Sequence, residues 1–186
     1  MRLIKMKVDD LARFSEEGSP SSGRKLPEGY SFRMYTPGDE KEWVRIQDSA
    51  DDYIAVDEIL FEREFGSNKE ELPRRMVFLM FGEEYVGTAA AWLDDVYREP
   101  GTGRLHWVAI VPEHQGKGLA LPLVNYTMSL FPGLGCVRGY LLTNAVRFPA
   151  VSLYLKEGFK PEIRDSEEAE IWEHIMEHVR IDGSLT

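Results

Sequence analysis

Cysteine is almost absent from this chain of 186 residues, which contains Cys136 and no other cysteine. One thiol permits no internal disulfide and cannot supply a cysteine-rich zinc site, so a buried packing role is expected for it. Long apolar runs are also lacking. No stretch approaches the roughly 20 apolar residues that cross a bilayer, and charges interrupt residues 1–14, where a secretory signal needs an apolar segment. The sequence therefore predicts a cytoplasmic protein that does not act in a membrane.

Basic residues are scarce, because Lys and Arg total 22 against 32 Asp and Glu, which gives a formal net charge of −10. Affinity for nucleic acid comes from clustered Lys and Arg, so nucleic acid is excluded as the expected partner. Acids are concentrated between Asp39 and Glu71. This distribution favours a cationic small molecule as substrate, although a solvated helix face that keeps the protein soluble would have the same composition.

The order of apolar patterns predicts a mixed α/β domain, of the α+β kind, whose front half is largely antiparallel. Residues 15–29 are rich in Ser, Gly and Pro. Residues 1–29 are therefore expected to be an extension and linker, residues 30–163 the folded domain, and residues 164–186 a C-terminal helix packed on it. Strands are predicted at 30–35, 103–111 and 139–145 and in a hairpin around Gly82, and helices at 36–50, 59–65, 118–131, 148–157 and 165–181. Thr36 or Asp39 is the expected cap of the first helix, and Asp165 or Ser166 that of the last.

The stretch QGKGLA, residues 115–120, lies between a predicted strand and a predicted helix. It is not a nucleotide-hydrolase phosphate loop, because Lys117 is followed by Gly118 instead of Ser or Thr, and it lacks the third glycine of a dinucleotide fingerprint. Backbone N–H groups from Gln115 to Ala120 would nevertheless converge at a helix N-terminus, where an anion is favoured. From these residues alone, a phosphate site and a purely structural turn both remain open.

The stretch HIMEH, from His174 to His178, matches a zinc-protease pattern that sets two ligands one helical turn apart. The residues that follow it offer no third ligand, and both histidines flank the apolar stripe of the last predicted helix. We therefore expect an ordinary position at the edge of that stripe and predict no metal site.

Two motifs in the second half of the chain occur in a characteristic order. Gln115-x-x-Gly118-x-Ala120 comes first, and about thirty residues later a strand is followed by a helix that ends in Leu-Tyr, a basic residue and Gly-Phe. The matching residues of this second motif are Ala150, Leu153, Tyr154, Lys156, Gly158 and Phe159. Over roughly residues 30–163, the sequence resembles the GNAT superfamily of acyl-CoA-dependent N-acyltransferases. The resemblance implies a mixed, mostly antiparallel sheet with helices on both faces and a cleft between splayed fourth and fifth strands.

Acetyl-CoA is the co-substrate that the resemblance implies. Its pyrophosphate would lie on the amides of the glycine turn, and its pantetheine arm would run beside the preceding strand like an extra strand. The implied coenzyme-binding residues are Val108, Ala109, Ile110, Gln115, Gly116, Lys117, Gly118, Leu119, Ala120 and Leu121, with Arg147 added. Arg147 replaces an Asn that many relatives have, and contact with the coenzyme phosphates or an ion pair with Asp94 are both open.

For catalysis, the resemblance implies that Tyr154 is the general acid, because a phenol with a pKa near 10 stays protonated at neutral pH and can protonate a departing thiolate. The usual Glu of the fourth strand is replaced by Arg104. His106, on the same strand face, is the candidate base, and water is the alternative. The residues from Gln47 to Asn68 would line the acceptor side, where Tyr53, Phe61 and Phe65 are interpreted as core rather than as an aromatic cage.

The expected function is direct transfer of an acetyl group to a primary amine. A cationic small molecule, such as a polyamine or an aminoglycoside, and a peptide amine both remain open as acceptors. Peptide N-terminal acetylation is therefore one alternative, and the other is a catalytically weak acyl-CoA-binding module that acts in regulation. The protein is expected to be a monomer or a homodimer.

Overall fold

Seven strands form one sheet in the computed structural model, which describes residues 2–14, 26–50, 54–93 and 99–181. The strands are β1 (Leu3–Val8), β2 (Tyr30–Met34), β3 (Met76–Phe81), β4 (Glu84–Trp92), β5 (Thr102–Ile110), β6 (Arg138–Asn144) and β7 (Lys160–Pro161). Their order across the sheet is β2-β3-β4-β5-β6-β1-β7. All neighbouring pairs are antiparallel except β5 and β6, which are parallel. The mostly antiparallel sheet expected from the sequence is confirmed.

Six α-helices in the described residues pack around this sheet: α1 (Glu40–Ala50), α2 (Glu58–Phe65), α3 (Leu72–Arg75), α4 (Ala120–Leu130), α5 (Phe148–Lys156) and α6 (Ser166–Ile181). Their ends follow local chemistry. The Asp57 carboxylate accepts the Leu60 amide at 2.7 Å and caps α2, and the Asp165 carboxylate accepts the Glu168 amide at 2.8 Å and caps α6. Gly158, with φ 84°, adopts the left-handed conformation just after α5, which ends that helix as predicted.

The parallel pair β5 and β6 separates halfway along its length. The two strands pair from Thr102 to Leu105 on β5 and from Arg138 to Leu141 on β6. The remaining residues of both strands diverge, and they correspond to the fourth and fifth strands of the sequence prediction. The predicted splay is therefore present, and it opens a gap in the middle of the sheet.

The structure differs from the sequence prediction at the amino end of the chain. Residues 3–8 were expected to belong to an extension ahead of a folded unit that begins near Tyr30. They instead form β1, which pairs antiparallel with β6 over its whole length and with β7 at Met6 and Lys7. The exposure of β1 alternates, with Ile4, Met6 and Val8 buried, because these side chains point into the core.

The core has one cluster in each half of the sheet. The first cluster joins α1 and α2 to β3 and β4 through Trp43, Phe61 and Phe65, and the second joins β1 to the last helices through Val151 and Trp172. Consecutive residues of β3 are fully buried, which requires cover on both faces of the sheet. Phe61 and Phe65 are therefore core residues, as expected, and Cys136 is buried in the second cluster. Tyr53 lies outside the described residues.

The burial of β1 predicts a large loss of stability when its core side chain is truncated. Met6 is fully buried, so Met6→Ala should lower the free energy of unfolding by about 2–5 kcal/mol. Leu3 is 61% exposed on the same strand, and Leu3→Ala should change the free energy by less than about 0.5 kcal/mol. Urea titration of both variants measures the difference. Equal, small effects would show that β1 is not an integral strand.

Candidate active site

The gap between β5 and β6 widens into a cleft of about 510 Å³. Residues of β5, β6, α1 and α5 line it. From the sequence-predicted site, the cleft brings together His106, Val108, Ala109, Ile110, Gln115, Arg147 and Tyr154. The other predicted residues, Gly116 to Leu121, form the turn and the first residues of α4, directly after Gln115.

The backbone of β5 directs hydrogen-bonding groups into this gap. The Val111 amide donates to the Val86 carbonyl on the β4 side at 2.9 Å. Because hydrogen-bonding direction alternates along a strand, Ile110 directs its backbone groups away from β4, toward the gap, and so does the carbonyl of Val108. The Ile110 carbonyl accepts a bond of 2.8 Å from Gln115 Nε2. This bond ties the glycine turn to the end of the strand.

Both glycines of the turn have a conformation that other residues rarely adopt. The φ angles are 72° at Gly116 and 75° at Gly118, and a Cβ atom added at either position would meet nothing within 4 Å. Leu119 precedes α4, and its side chain makes no capping hydrogen bond. The first amides of α4 therefore depend on other acceptors, so the turn and helix start fit an anionic ligand. Lys117 is exposed beside them.

A β-bulge interrupts β5 next to the candidate base. The register with β4 shifts between the pairs Thr88–Ala109 and Ala90–His106, which leaves an extra residue on β5. Trp107 has φ 50° at this point, the one positive φ among the described non-glycine residues. Its carbonyl accepts a bond of 2.7 Å from the Nε2 atom of Gln47, which is buried on α1. A side chain of α1 thus satisfies a main-chain group that the bulge removes from the sheet ladder.

His106 is 7% exposed and lies against a carboxylate of α2. Glu64 Oε2 is 3.1 Å from His106 Nε2 and 3.1 Å from Trp107 Nε1. The hydrogen bond from His106 and the bond from the indole lower the pKa of Glu64 to about 2, against the opposing effect of burial. Glu64 is therefore a carboxylate at neutral pH and accepts a hydrogen bond from each of the two neighbouring rings.

Tyr154 is 8% exposed and contributes to the cleft from α5. Burial raises the pKa of its phenol to about 12, and the charge of Arg147 opposes that shift. The phenol is therefore neutral, and carries its proton, throughout the physiological range. Asp94, the other partner considered for Arg147, lies outside the described residues.

Comparison with known proteins identifies the family of this chain. The family model described as "Acetyltransferase (GNAT) family" matches residues 40–159, a span that includes the gap, the glycine turn and Tyr154. The chain belongs to the GNAT acetyltransferase family.

Relatives of this GNAT protein include mycothiol acetyltransferases of Pseudarthrobacter chlorophenolicus and Streptomyces bingchenggensis. They are 29% and 30% identical to it over 140 and 138 residues. These matches cover 72% of this chain but only 43% and 44% of the two relatives, so the chain spans less than half of their length.

Two solved structures share the GNAT fold. A GCN5-related N-acetyltransferase from Sphaerobacter thermophilus has a TM-score of 0.67 at 20% identity, with 86% of this chain and 48% of that chain covered. The ribosomal-protein-S18-alanine N-acetyltransferase of Escherichia coli has a TM-score of 0.60 at 18% identity, with 72% of this chain and 79% of that chain covered.

Gln47 and Glu64 lie within the segment that the sequence predicts on the acceptor side, but the sequence assigned neither of them a role in this GNAT site. Gln47 interrupts the apolar stripe of α1 between Ile46 and Ala50, and a polar side chain on a buried face was the available signal. Glu64 gave no such signal, because an acid on an acidic helix is typical of a solvated face. Its role becomes visible only when α2 lies against β5.

The C-terminal histidines pack against a neighbouring helix. The rings of His178 and Phe148 stack at 4.5 Å with an interplanar angle of 5°, which joins α6 to α5. Within the described ranges, no group of three or more His, Cys, Asp or Glu residues could hold a metal ion. The helices in these ranges are also too short or too polar to cross a membrane.

The lowered pKa of Glu64 predicts a pH-dependent contribution to stability. A carboxyl group with a folded-state pKa of about 2, below its ordinary 4.5, stabilises the fold above pH 4.5 and loses this effect as the pH falls toward 2. Glu64→Gln should therefore destabilise the protein above pH 4.5, and its difference from wild type should shrink as the pH falls from 4.5 toward 2. Urea unfolding at several pH values tests this. A difference that does not change with pH would contradict it, and Glu58→Gln, on an exposed residue of α2, is the control.

Proposed function

We propose that the protein is an N-acetyltransferase that moves an acetyl group directly from acetyl-CoA to a primary amine. The observation that carries the proposal is one continuous cleft. It contains the diverging backbone of β5, leads into the glycine turn at Gln115, and has Tyr154 and His106 among its lining residues. A donor that has an extended amide arm and an anionic end would match both parts of this surface.

The described residues fit the coenzyme in two independent ways. Gly116 and Gly118 leave open space above backbone amides at the start of α4, which suits a pyrophosphate. Val108 directs its backbone C=O toward the gap, and Ile110 directs its N–H there, which suits the amides of a pantetheine arm. Acetyl-CoA supplies the activated thioester in this scheme.

Tyr154 and His106 supply the two proton transfers that acyl transfer to an amine needs. An amine that binds as an ammonium ion must lose a proton before it can attack, and His106 accepts that proton. The thiolate that departs requires a proton, and the phenol of Tyr154 holds one at neutral pH because its pKa is about 12. Both side chains line the same cleft, and Arg147, which also lines it, acts on the phenol through its charge.

The acceptor is proposed to be a small-molecule amine. The sequence relatives are named mycothiol acetyltransferases, which supports a small acceptor for this chain. The acidic residues of the first half favour an amine that is positively charged. A peptide amine and binding without turnover are the alternatives that the experiments below separate.

The role of Tyr154 predicts a loss of turnover without a loss of coenzyme binding. Tyr154→Phe removes the phenolic proton and keeps the ring, so kcat should fall by about 100-fold while affinity for acetyl-CoA is retained. Product formation is measured by mass spectrometry with spermidine, kanamycin, glucosamine and a peptide that begins with alanine. Tyr126→Phe, on α4, is the matched control and should keep wild-type rates.

Each outcome of that experiment is informative. Equal rates for wild type and Tyr154→Phe would remove the phenol from the mechanism. Coenzyme binding without acetylation of any of the four amines by the wild type would favour the regulatory module, and acetylation of the peptide alone would favour peptide N-terminal acetylation.

The glycine turn predicts where coenzyme binding can be abolished. Gly118→Glu places a side chain and a negative charge where the pyrophosphate is proposed to bind, so calorimetry should detect no binding of acetyl-CoA. Gly135 has a similar φ of 78° and similar open space, and it lies beyond the opposite end of α4. Gly135→Glu therefore introduces comparable strain and should leave binding intact. Retained binding by Gly118→Glu would refute the assignment of the turn.

A further inference from the structure

The carboxylate of Glu64 joins two consecutive residues of the bulge. Its Oε2 atom lies 3.1 Å from both His106 Nε2 and Trp107 Nε1, so one oxygen of α2 contacts two rings of β5. The indole nitrogen is a donor only, which fixes the carboxylate as acceptor in that contact. The side chain of Glu64 is 23% exposed, and that of His106 is 8% exposed. The pair is thus shielded from most solvent.

This contact determines which nitrogen of His106 carries a proton. An ionised carboxylate has no proton to give, so the imidazole nitrogen beside it must be the donor. Neutral His106 is therefore the Nε2–H tautomer, and its proton-accepting atom is Nδ1.

We propose that Glu64 is a positioning residue for the reaction proposed above: it holds His106 in the Nε2–H tautomer and stabilises the imidazolium that forms when Nδ1 takes a proton from the acceptor amine. This inference rests on the proposed function. In the step itself, one N–H bond of the acceptor ammonium breaks and one N–H bond forms at Nδ1. The nitrogen lone pair of the acceptor is released, and the positive charge moves to His106 beside the carboxylate.

Glu64 itself is a poor base for this step. A carboxylate with a pKa of about 2 has little affinity for the proton of an ammonium ion. Its Oε2 atom is also engaged by two donors, and its Oε1 atom lies 3.5 Å from Nε of the exposed Arg63. The carboxylate is therefore suited to orient the His106 ring and to stabilise its positive charge.

The surroundings of His106 make the charge of Glu64 important. The Phe65 ring lies 6.0 Å from the imidazole, and its low polarity disfavours an unpaired cation. Among the described residues, the other charged or titratable groups of the cleft are Arg104, Arg147 and Tyr154, and Arg63 contacts Glu64 from α2. None of these four is an anion at neutral pH. The carboxylate thus provides a negative charge that favours the imidazolium, with its Oε2 atom 3.1 Å from Nε2.

Nitrogen NMR of the histidine side chains tests the inference directly. The full chain has four histidines, and a His106→Asn variant assigns the signals of His106. In the wild type, neutral His106 should show the Nε2–H tautomer. In Glu64→Gln, its titration midpoint should move to lower pH by about one unit, because the charge that favoured the imidazolium is gone. Glu58→Gln removes a carboxylate from the same helix and should leave the midpoint unchanged.

The pH profile of turnover gives a second readout. With both substrates saturating, and with the amine of the four that the wild type acetylates fastest, kcat should rise with pH as His106 loses its proton. Glu64→Gln should lower the plateau by roughly 10- to 100-fold and move the acidic limb to lower pH, with little change in KM. A residue that only supports the fold would not move the limb.

Two results would overturn the inference. The first is an Nδ1–H tautomer of His106 in the wild type, which can be observed even if no variant folds. The second is a titration midpoint of His106 that is unchanged in folded Glu64→Gln. Failure of the proposed function is a separate result. In that case the wild type would bind no acetyl-CoA or would acetylate none of the amines, whatever the tautomer of His106.

Discussion

The loss of pairing between β5 and β6 is the constraint on which the rest of the site depends. Beyond Leu105 and Leu141 the two strands no longer share a ladder, although both remain inside the sheet. Buried backbone polar groups need partners, so an interruption in mid-sheet must be supported by other groups. The carbonyl of Ile110 accepts a hydrogen bond from the side chain of Gln115. Gln115 therefore has a structural role in addition to the proposed coenzyme contact.

The bulge at Trp107 connects this interruption to helices α1 and α2. A positive φ at a bulky residue costs on the order of 1–3 kcal/mol and persists only where the surroundings enforce it. Here the carbonyl is held by Gln47, the indole by Glu64, and the ring packs at 5.2 Å from Trp43. Glu64 contacts both the strained residue Trp107 and the candidate base His106. The bulge therefore holds both residues at the cleft.

Much of the fold and part of the site could be predicted because their signals are local. The glycine turn, the hairpin, and the α5 helix that carries Tyr154 each follow from residues close together in the chain. Two features depend on distant contacts. Strand β1 finds its place between β6 and β7, which come more than a hundred residues later, and its own sequence contains nothing that specifies those neighbours. Glu64 is 42 positions from its partner His106, and only the packing of α2 distinguishes it from the other acids of that helix.

We propose that the open side of β5 and the glycine turn form one coenzyme surface, and amide hydrogen exchange on addition of acetyl-CoA tests this proposal. Slower exchange is expected at the amide of Ile110, together with those from Gly116 to Leu121. Exchange in the turn between β3 and β4, at Glu83, should not change. Protection of the turn without any change at Ile110, or protection of neither, would show that the two do not form one coenzyme surface.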